Sequence, residues 1–129
     1  MSMQLCEDCL KNVYGNLQSG DFFVLYAVYA QVFKAKEIMK KNQTVSQKAI
    51  FMETCNTKNV AQAAGFSLTK TRMYLSFFVK IGAVKIIKAD HTKIYLIEET
   101  GMEFLKMMKK DKQKVALLKT IAEKVKENA

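Results

Sequence analysis

The spacing of hydrophobic residues predicts four helices between positions 22 and 81. Apolar side chains recur with the 3.6-residue helical period over residues 22–41, where Asp21 can cap the first turn. Shorter periodic segments predict helices over residues 46–55, 59–64 and 67–81. The wide aromatic stripe of the first helix indicates burial on more than one side. The side chains predicted to face the core are Phe22, Leu25, Tyr26, Tyr29, Phe33, Ala49, Ile50, Met52, Val60, Ala61, Ala64, Leu75 and Phe78.

Two glycines and one serine predict where these helices begin and end. Gly65 follows the third segment and tolerates the left-handed conformation that often ends a helix. Ser67 is a candidate N-cap for the fourth helix, and Gly82 is its candidate stop. The third and fourth helices are therefore expected to be joined by a tight turn.

After Gly82 the hydrophobic period changes to two residues. Residues 84–88 and 94–97 are short β-branched runs, and the polar stretch between them predicts a β-hairpin. A last long helix is then predicted over residues 101–127, with Asp111 as a polar break in its apolar seam. The seam positions, which step by four and three residues, are Phe104, Met108, Val115, Leu118, Ala122 and Val125.

Composition supports a mainly α fold with a small β-hairpin. The chain has 129 residues, no proline, five glycines and 50% hydrophobic residues, which suits one helical domain with a real core. It is too short for a TIM barrel or a full dinucleotide-binding fold, and too poor in turn residues for a β-sandwich. We expect one domain over residues 1–129, with an N-terminal helical region (1–45), a central region (46–98) and a C-terminal helical region (99–129).

The positive charge is concentrated in the middle third of the chain. The formal net charge is +9, and residues 41–88 carry eight basic residues and one acidic residue, a net +7. Such an excess points to an anionic partner, either a nucleic acid or a membrane surface. The sequence has no apolar run of about 18 residues and no signal-peptide pattern at residues 1–9, so we expect a cytoplasmic protein that does not span a membrane.

Signatures of catalysis are missing from the sequence. It contains neither a glycine-rich phosphate loop nor a His-Glu-x-x-His motif. The single histidine, His91, lies in the predicted hairpin turn, a poor place to exclude water from a catalytic site. We therefore expect that the protein is not an enzyme and needs no cofactor.

Three cysteines raise the question of a metal or redox site. Cys6 and Cys9 have the spacing of half a zinc site, but no second Cys/His pair follows within reach in the sequence. Cys55 and His91 complete a zinc site only if the fold brings them close to Cys6 and Cys9. Alternatively, two chains each contribute two thiolates to a shared zinc site. The simpler interpretation is two reduced cysteines at a helix start, with an intersubunit or redox-sensing disulfide as the next alternative. We therefore expect no metal site, with Cys6 and Cys9 as the candidates if one exists.

The order helix, helix, turn, helix and hairpin is the layout of a winged helix-turn-helix. Residues 59–75, with Gly-Phe-Ser at the turn, and residues 81–84 resemble the winged-helix transcription regulators of the MarR and PadR class. The similarity is greatest to the small Lrs-like regulators of archaea. Residues 95–105 are similar to the Y-x-L-T-x-x-G-x-x-x-L exit from the wing in those families, although the capping hydroxyl is missing or is supplied by Thr100.

The resemblance, which covers roughly residues 46–105, implies a homodimer that binds double-stranded DNA and regulates transcription. The helix after the turn would enter the major groove, and the first and last helices would form the dimer interface. Repression by occluding a promoter is the simplest mechanism, and activation is equally compatible. The implied DNA-binding residues are Ser67, Thr69, Lys70, Arg72, Met73 and Ser76 on the helix, with His91 and Lys93 at the wing tip.

Arg72 is the best candidate for a base contact, because it is the only arginine in the sequence and its guanidinium fork matches a guanine edge. Its alternative is a solvated or salt-bridging arginine. The wing tip is equally an ordinary polar turn, and Lys58, Lys80 and Lys85 are phosphate contacts or plain surface residues. The alternative function is a winged-helix protein-interaction module of a larger assembly, without specific DNA binding.

Overall fold

In the computed structural model, residues 6–111 and 114–127 are described, apart from the side chains of residues 115, 118 and 125–127. Within these ranges the chain is mainly helical and forms one two-stranded antiparallel sheet. The elements in chain order are α1 (Glu7–Asn16), α2 (Ser19–Lys41), α3 (Gln47–Thr54), α4 (Thr57–Ala64), α5 (Leu68–Lys80), β1 (Val84–Ala89), β2 (Thr92–Ile97), α6 (Glu99–Lys110) and α7 (Val115–Glu127).

Helix α2 is the central element of the fold. It packs against α3, α4, α5, α7 and β2, so that most of its length is enclosed by other parts of the chain. Phe22, Val24, Leu25 and Val28 are all nearly or completely buried although they point to different sides of the helix. The prediction that this helix is buried on more than one side is therefore confirmed.

Two residues that were predicted to face the core are exposed. Near the end of α2 the buried side runs through Val32 and Ala35, which leaves the ring of Phe33 55% exposed. In α3 the buried apolar contact is made by Ile50, and Ala49 faces the solvent. The other predicted core residues whose side chains are described are buried or half-buried. Periodicity thus identified the buried side of each helix and failed for Phe33 and Ala49.

Three of the four predicted helix-end signals are confirmed. Gly65 and Gly82 adopt φ values of +77° and +79°, and the side chain of Ser67 caps α5. Asp21 is not the N-cap of α2, because that helix begins two residues earlier, at Ser19. The Asp21 carboxylate instead accepts a hydrogen bond from the backbone N–H of Gln18 at 2.8 Å, which supports the first turn from within.

The hairpin pairs β1 with β2 in a regular antiparallel register, from Val84 opposite Ile97 to Ala89 opposite Thr92. The backbone N–H of Tyr95 donates to the carbonyl of Cys55 at 3.0 Å, and residues 56 and 94 form an isolated antiparallel bridge. The connection between α3 and α4 therefore covers the outer edge of β2 and fixes the hairpin to the helical core.

The prediction of one continuous C-terminal helix is wrong. Helix α6 ends at Lys110, where the backbone N–H of Asp111 donates to the carbonyls of Met107 and Met108 at 3.1 and 3.3 Å. Helix α7 then packs against α2 and α4 of the same chain, and its Ile121 is completely buried. Phe104 and Met108 are buried as predicted, whereas the side chains of Val115, Leu118 and Val125 lie outside the described part.

Helix α1 lies outside the helices predicted from periodicity, although its cysteine pair was expected at a helix start. None of its residues is fully buried. Leu10, Val13 and Tyr14 are half-buried against the core, and the helix contacts α6. The Tyr14 hydroxyl donates to the Asp111 carboxylate at 3.2 Å, which ties α1 to the end of α6.

Candidate nucleic-acid interface

The turn between α4 and α5 is built from backbone hydrogen bonds and one left-handed glycine. Gly65 and Phe66 both donate their backbone N–H groups to the carbonyl of Ala61, at 2.9 and 3.1 Å. This pattern, with its left-handed glycine, is a standard way to end a helix. The Ser67 hydroxyl then accepts the backbone N–H of Lys70 at 3.1 Å and starts α5. The turn therefore sets the direction of α5 relative to α4 within three residues.

Helix α5 has one buried side and one exposed side. Thr71, Leu75 and Phe78 are almost completely buried. Every residue of this segment that the resemblance implied for DNA binding is exposed. These exposed residues are Ser67, Thr69, Lys70, Arg72, Met73 and Ser76. The predicted outward face is therefore present on the surface, as a polar and cationic stripe.

Arg72 lies in the middle of this stripe and is exposed. The three salt bridges found among the described residues are Lys11–Glu7, Lys40–Glu37 and Lys106–Glu103, none of which involves Arg72. Within the described part of the chain, a salt bridge does not occupy its guanidinium group. The solvated arginine and the base-contacting arginine remain the two interpretations.

Lys70 is exposed but is held in place by an aromatic ring. Its ammonium nitrogen lies 4.4 Å from the centroid of the Phe66 ring, which in turn stacks on Tyr74 at 5.8 Å. The Phe66 ring also packs edge-on against Phe23 at 5.9 Å, and the Lys124 nitrogen lies 4.9 Å from the Phe23 ring centroid. A cation over an aromatic face keeps its charge while its position is restricted. Lys70 thus offers a positioned positive charge at the start of α5.

Apolar side chains interrupt the polar stripe of α5. Met73 is 70% exposed, and Leu68 and Phe77 are 42% and 39% exposed. Phe77 was not among the predicted site residues. It lines a surface depression together with Val13 and Leu17.

The hairpin follows α5 directly and carries the remaining predicted site residues. Gly82 and Ala83 donate their backbone N–H groups to carbonyls in the last turns of α5, at 3.1 and 2.8 Å, which fixes the exit into β1. His91 and Lys93 are exposed at the tip, where Asp90 adopts φ +57°. The cationic residues Lys58, Lys80, Lys85 and Lys88 are also exposed.

The start of α6 lacks the capping hydroxyl of the related wing motif. Glu98 occupies the N-cap position and its side chain makes no capping hydrogen bond. Thr100 lies inside the first turn of α6 and is 9% exposed, so it does not act as the N-cap. The backbone N–H of Glu98 donates to the carbonyl of Ala83 at 2.9 Å. This hydrogen bond attaches the start of α6 to the connection between α5 and β1.

The fold does not gather the cysteines and the histidine into a metal site. Cys6 and Cys9 are exposed with their sulfur atoms 2.8 Å apart, whereas Cys55 is completely buried. Among the described residues, no group of three or more His, Cys, Asp or Glu side chains is arranged to hold a metal ion. Cys55 and His91 therefore do not complete a site with the N-terminal pair within one described chain.

A search of the helices in the described ranges finds none with the length and apolar character needed to cross a bilayer. Comparison of the chain with models of protein families, with curated proteins and with solved structures gives no match.

Proposed function

We propose that the protein is a winged helix-turn-helix transcription regulator that binds double-stranded DNA. Helices α4 and α5 form the helix-turn-helix, and the β1–β2 hairpin forms the wing. The observation that carries the proposal is the two-sided character of α5, which buries Thr71, Leu75 and Phe78 and exposes a stripe centred on Arg72. A recognition helix needs this arrangement, because one side must hold the helix in the protein while the other reaches the groove.

Charge supports the same proposal. Residues 41–88, which include α3, α4, α5 and most of β1, carry a net +7 out of the formal net charge of +9 for the chain. Exposed lysines on α4 and α5, such as Lys58 and Lys80, can neutralise phosphates, while Arg72 reads a base edge. Phosphate contacts would provide affinity, and the contacts of Thr69, Arg72 and Ser76 would provide sequence preference.

A homodimer belongs to the proposal, because two recognition helices read successive major grooves of a nearly palindromic site. The N-terminal and C-terminal helices would supply the contact between subunits. Since α7 already packs against α2 and α4 of its own chain, only the outer surface of this helix is available to a partner. Occlusion of a promoter is the simplest mechanism for such a dimer.

Selection of bound duplexes from a random pool tests the proposal most directly. A shared motif with two related half-sites is expected, together with a dimer by sedimentation. Affinity for the selected duplex should fall steeply with salt, with a slope of about −0.9 for each phosphate that is neutralised. Recovery of no motif, together with no binding of duplex DNA at low salt, would contradict the proposal.

A second function, docking of another protein, is favoured by one specific observation. Met73, Leu68 and Phe77 expose apolar surface on α5, and such side chains are typical of protein contacts. The salt titration separates the two functions, because apolar docking depends weakly on salt whereas phosphate contacts depend on it strongly. If the affinity of the protein for its partner depends only weakly on salt, the protein-interaction module is favoured.

A further inference from the structure

The N-terminal end of α1 carries two thiols in direct contact. Cys6 is the N-cap residue of this helix, and Cys9 lies in its first turn. The thiol of Cys9 is 2.8 Å from that of Cys6, and the Cys6 sulfur also accepts the backbone N–H of Cys9 at 3.3 Å. Both side chains are exposed to solvent. The pair is therefore preassembled at the surface and open to small reagents.

We propose that Cys6 and Cys9 form a redox-active dithiol that is oxidised by a peroxide to an intramolecular disulfide. The inference does not rest on DNA binding, so either proposal can fail without the other. Their side-chain contact is what favours a bond within the chain over a bond between chains, because the second thiol is already beside the first. Neighbouring thiols of this kind are the usual arrangement of reversible redox switches.

The two thiols have different roles in this reaction. The contact with the Cys9 thiol and the hydrogen bond from the backbone N–H of Cys9 lower the pKa of Cys6, whereas the same thiol contact and the charge of Cys6 raise the pKa of Cys9. The thiolate is the reactive form of cysteine. Cys6, whose sulfur also accepts the backbone N–H of Cys9, is thus the attacking thiolate, and Cys9 is the resolving thiol.

The reaction balances with one equivalent of hydrogen peroxide. The Cys6 thiolate attacks one peroxide oxygen, the O–O bond breaks, and the leaving hydroxide takes up the proton that Cys6 had released. The sulfenic acid at Cys6 is then attacked by the Cys9 sulfur, the S–O bond breaks, and a second water leaves with the Cys9 proton. Two thiols lose two electrons in total, and peroxide is reduced to two waters.

Cys55 provides an internal control. It is completely buried, and burial raises its pKa to about 12, so it is both inaccessible and protonated at neutral pH. The backbone carbonyl of Cys55 also holds Tyr95, which fixes this residue in the core. Oxidation of the folded protein should therefore spare Cys55 and consume the other two thiols.

The test uses the full-length protein, reduced and then freed of metal with a chelator. With one equivalent of hydrogen peroxide, we expect the thiols counted in denaturant to fall from three to one, and the mass of the monomer to fall by two hydrogens. Peptide mapping should locate the bond between Cys6 and Cys9, and dithiothreitol should restore all three thiols. The Cys55→Ala variant, which has two thiols, should fall from two to none and recover both with dithiothreitol.

Single-cysteine variants separate the two roles. Cys9→Ser keeps an O–H donor beside Cys6, so a sulfenic acid should accumulate at Cys6 and be trapped by dimedone. Cys6→Ser removes the attacking thiolate, so its peptide map should show no disulfide between residues 6 and 9. Retention of three thiols, a bond to Cys55, a disulfide between chains as the main product, or protection of the pair by a tightly held zinc ion would each overturn the proposal.

Discussion

The backbone carbonyl oxygen of Ala83 occupies the space next to Gly101 that a side chain at Gly101 would need. A side-chain carbon placed on Gly101 would collide with this carbonyl oxygen and with the side chain of Ile97. The same oxygen accepts the backbone N–H of Glu98, so it cannot move away without losing that hydrogen bond. The close approach of α6 to the end of α5 therefore depends on the absence of a side chain at Gly101.

Substitution of this glycine should be costly. We expect Gly101→Ala to lower the free energy of unfolding by roughly 1–3 kcal/mol, because a backbone atom must shift to accept the methyl group. Equilibrium unfolding in urea measures the change. Gly15→Ala in α1 is the matched control, since nothing lies within 4 Å of its new methyl group. The control should stabilise the protein by up to about 1 kcal/mol through helix propensity, and equal effects of the two substitutions would contradict the steric explanation.

The buried hydroxyl of Thr71 is a second test of packing. Its oxygen is inaccessible to solvent and has no hydrogen-bond partner among the described residues. A buried polar group without a partner costs about 1–3 kcal/mol, so Thr71→Val should raise the free energy of unfolding by about 1 kcal/mol. Thr69→Val on the exposed side of α5 is the control and should change stability by less than about 0.5 kcal/mol. A destabilising Thr71→Val would mean that the hydroxyl is bonded in solution.

The role of Arg72 can be separated from that of a nearby lysine. Arg72→Ala should cost roughly 1–3 kcal/mol on the selected duplex and relax the base preference at one position in each half-site. Lys80→Ala should weaken all duplexes about equally and reduce the salt slope by about one unit. Competition binding with the selected and a scrambled duplex measures both variants. If Arg72→Ala weakens both duplexes to the same extent, Arg72 contacts phosphate and the base assignment fails.

Stability should fall at alkaline pH because of Cys55. Burial raises the pKa of this thiol from 9.0 to about 12, so in the folded state it stays protonated where the unfolded chain has already ionised. The contribution to stability is complete below pH 9.0 and is lost as the pH rises towards about 12. Unfolding curves between about pH 8 and about pH 10 should show a shallower decline for Cys55→Ala than for the unsubstituted protein. Parallel declines would indicate that the thiol titrates normally in the folded state.

Much of the architecture could be predicted because short-range signals agree with one another. The Gly65 conformation, the Ser67 cap and the change of period after Gly82 each depend on one or two neighbouring residues. The outward side of α5 followed from the same local pattern. Local chemistry of this kind acts before any tertiary contact forms, so the sequence is sufficient to locate it.

Several failures involve contacts between distant segments, whereas the failure at Asp21 is a local one of where α2 begins. The end of α6 at Asp111 depends on how α7 folds back onto α2 and α4, which periodicity does not contain. The exposure of Phe33 depends on which helix packs beside its ring. Helix α1 was missed because its attachment includes a hydrogen bond between Tyr14 and Asp111, residues that are far apart in the chain.

The connection that covers β2 has a further consequence for the way copies of this chain can meet. With β2 shielded by residues 55 and 56, β1 is left as the open edge of the sheet in the described part of the chain. That strand exposes Lys85 and Lys88, and lysines on an open edge resist strand addition from a second molecule. The lysines therefore oppose the pairing of β1 strands from two molecules, which protects the hairpin from aggregation. Copies of the chain are left to associate through their helical surfaces.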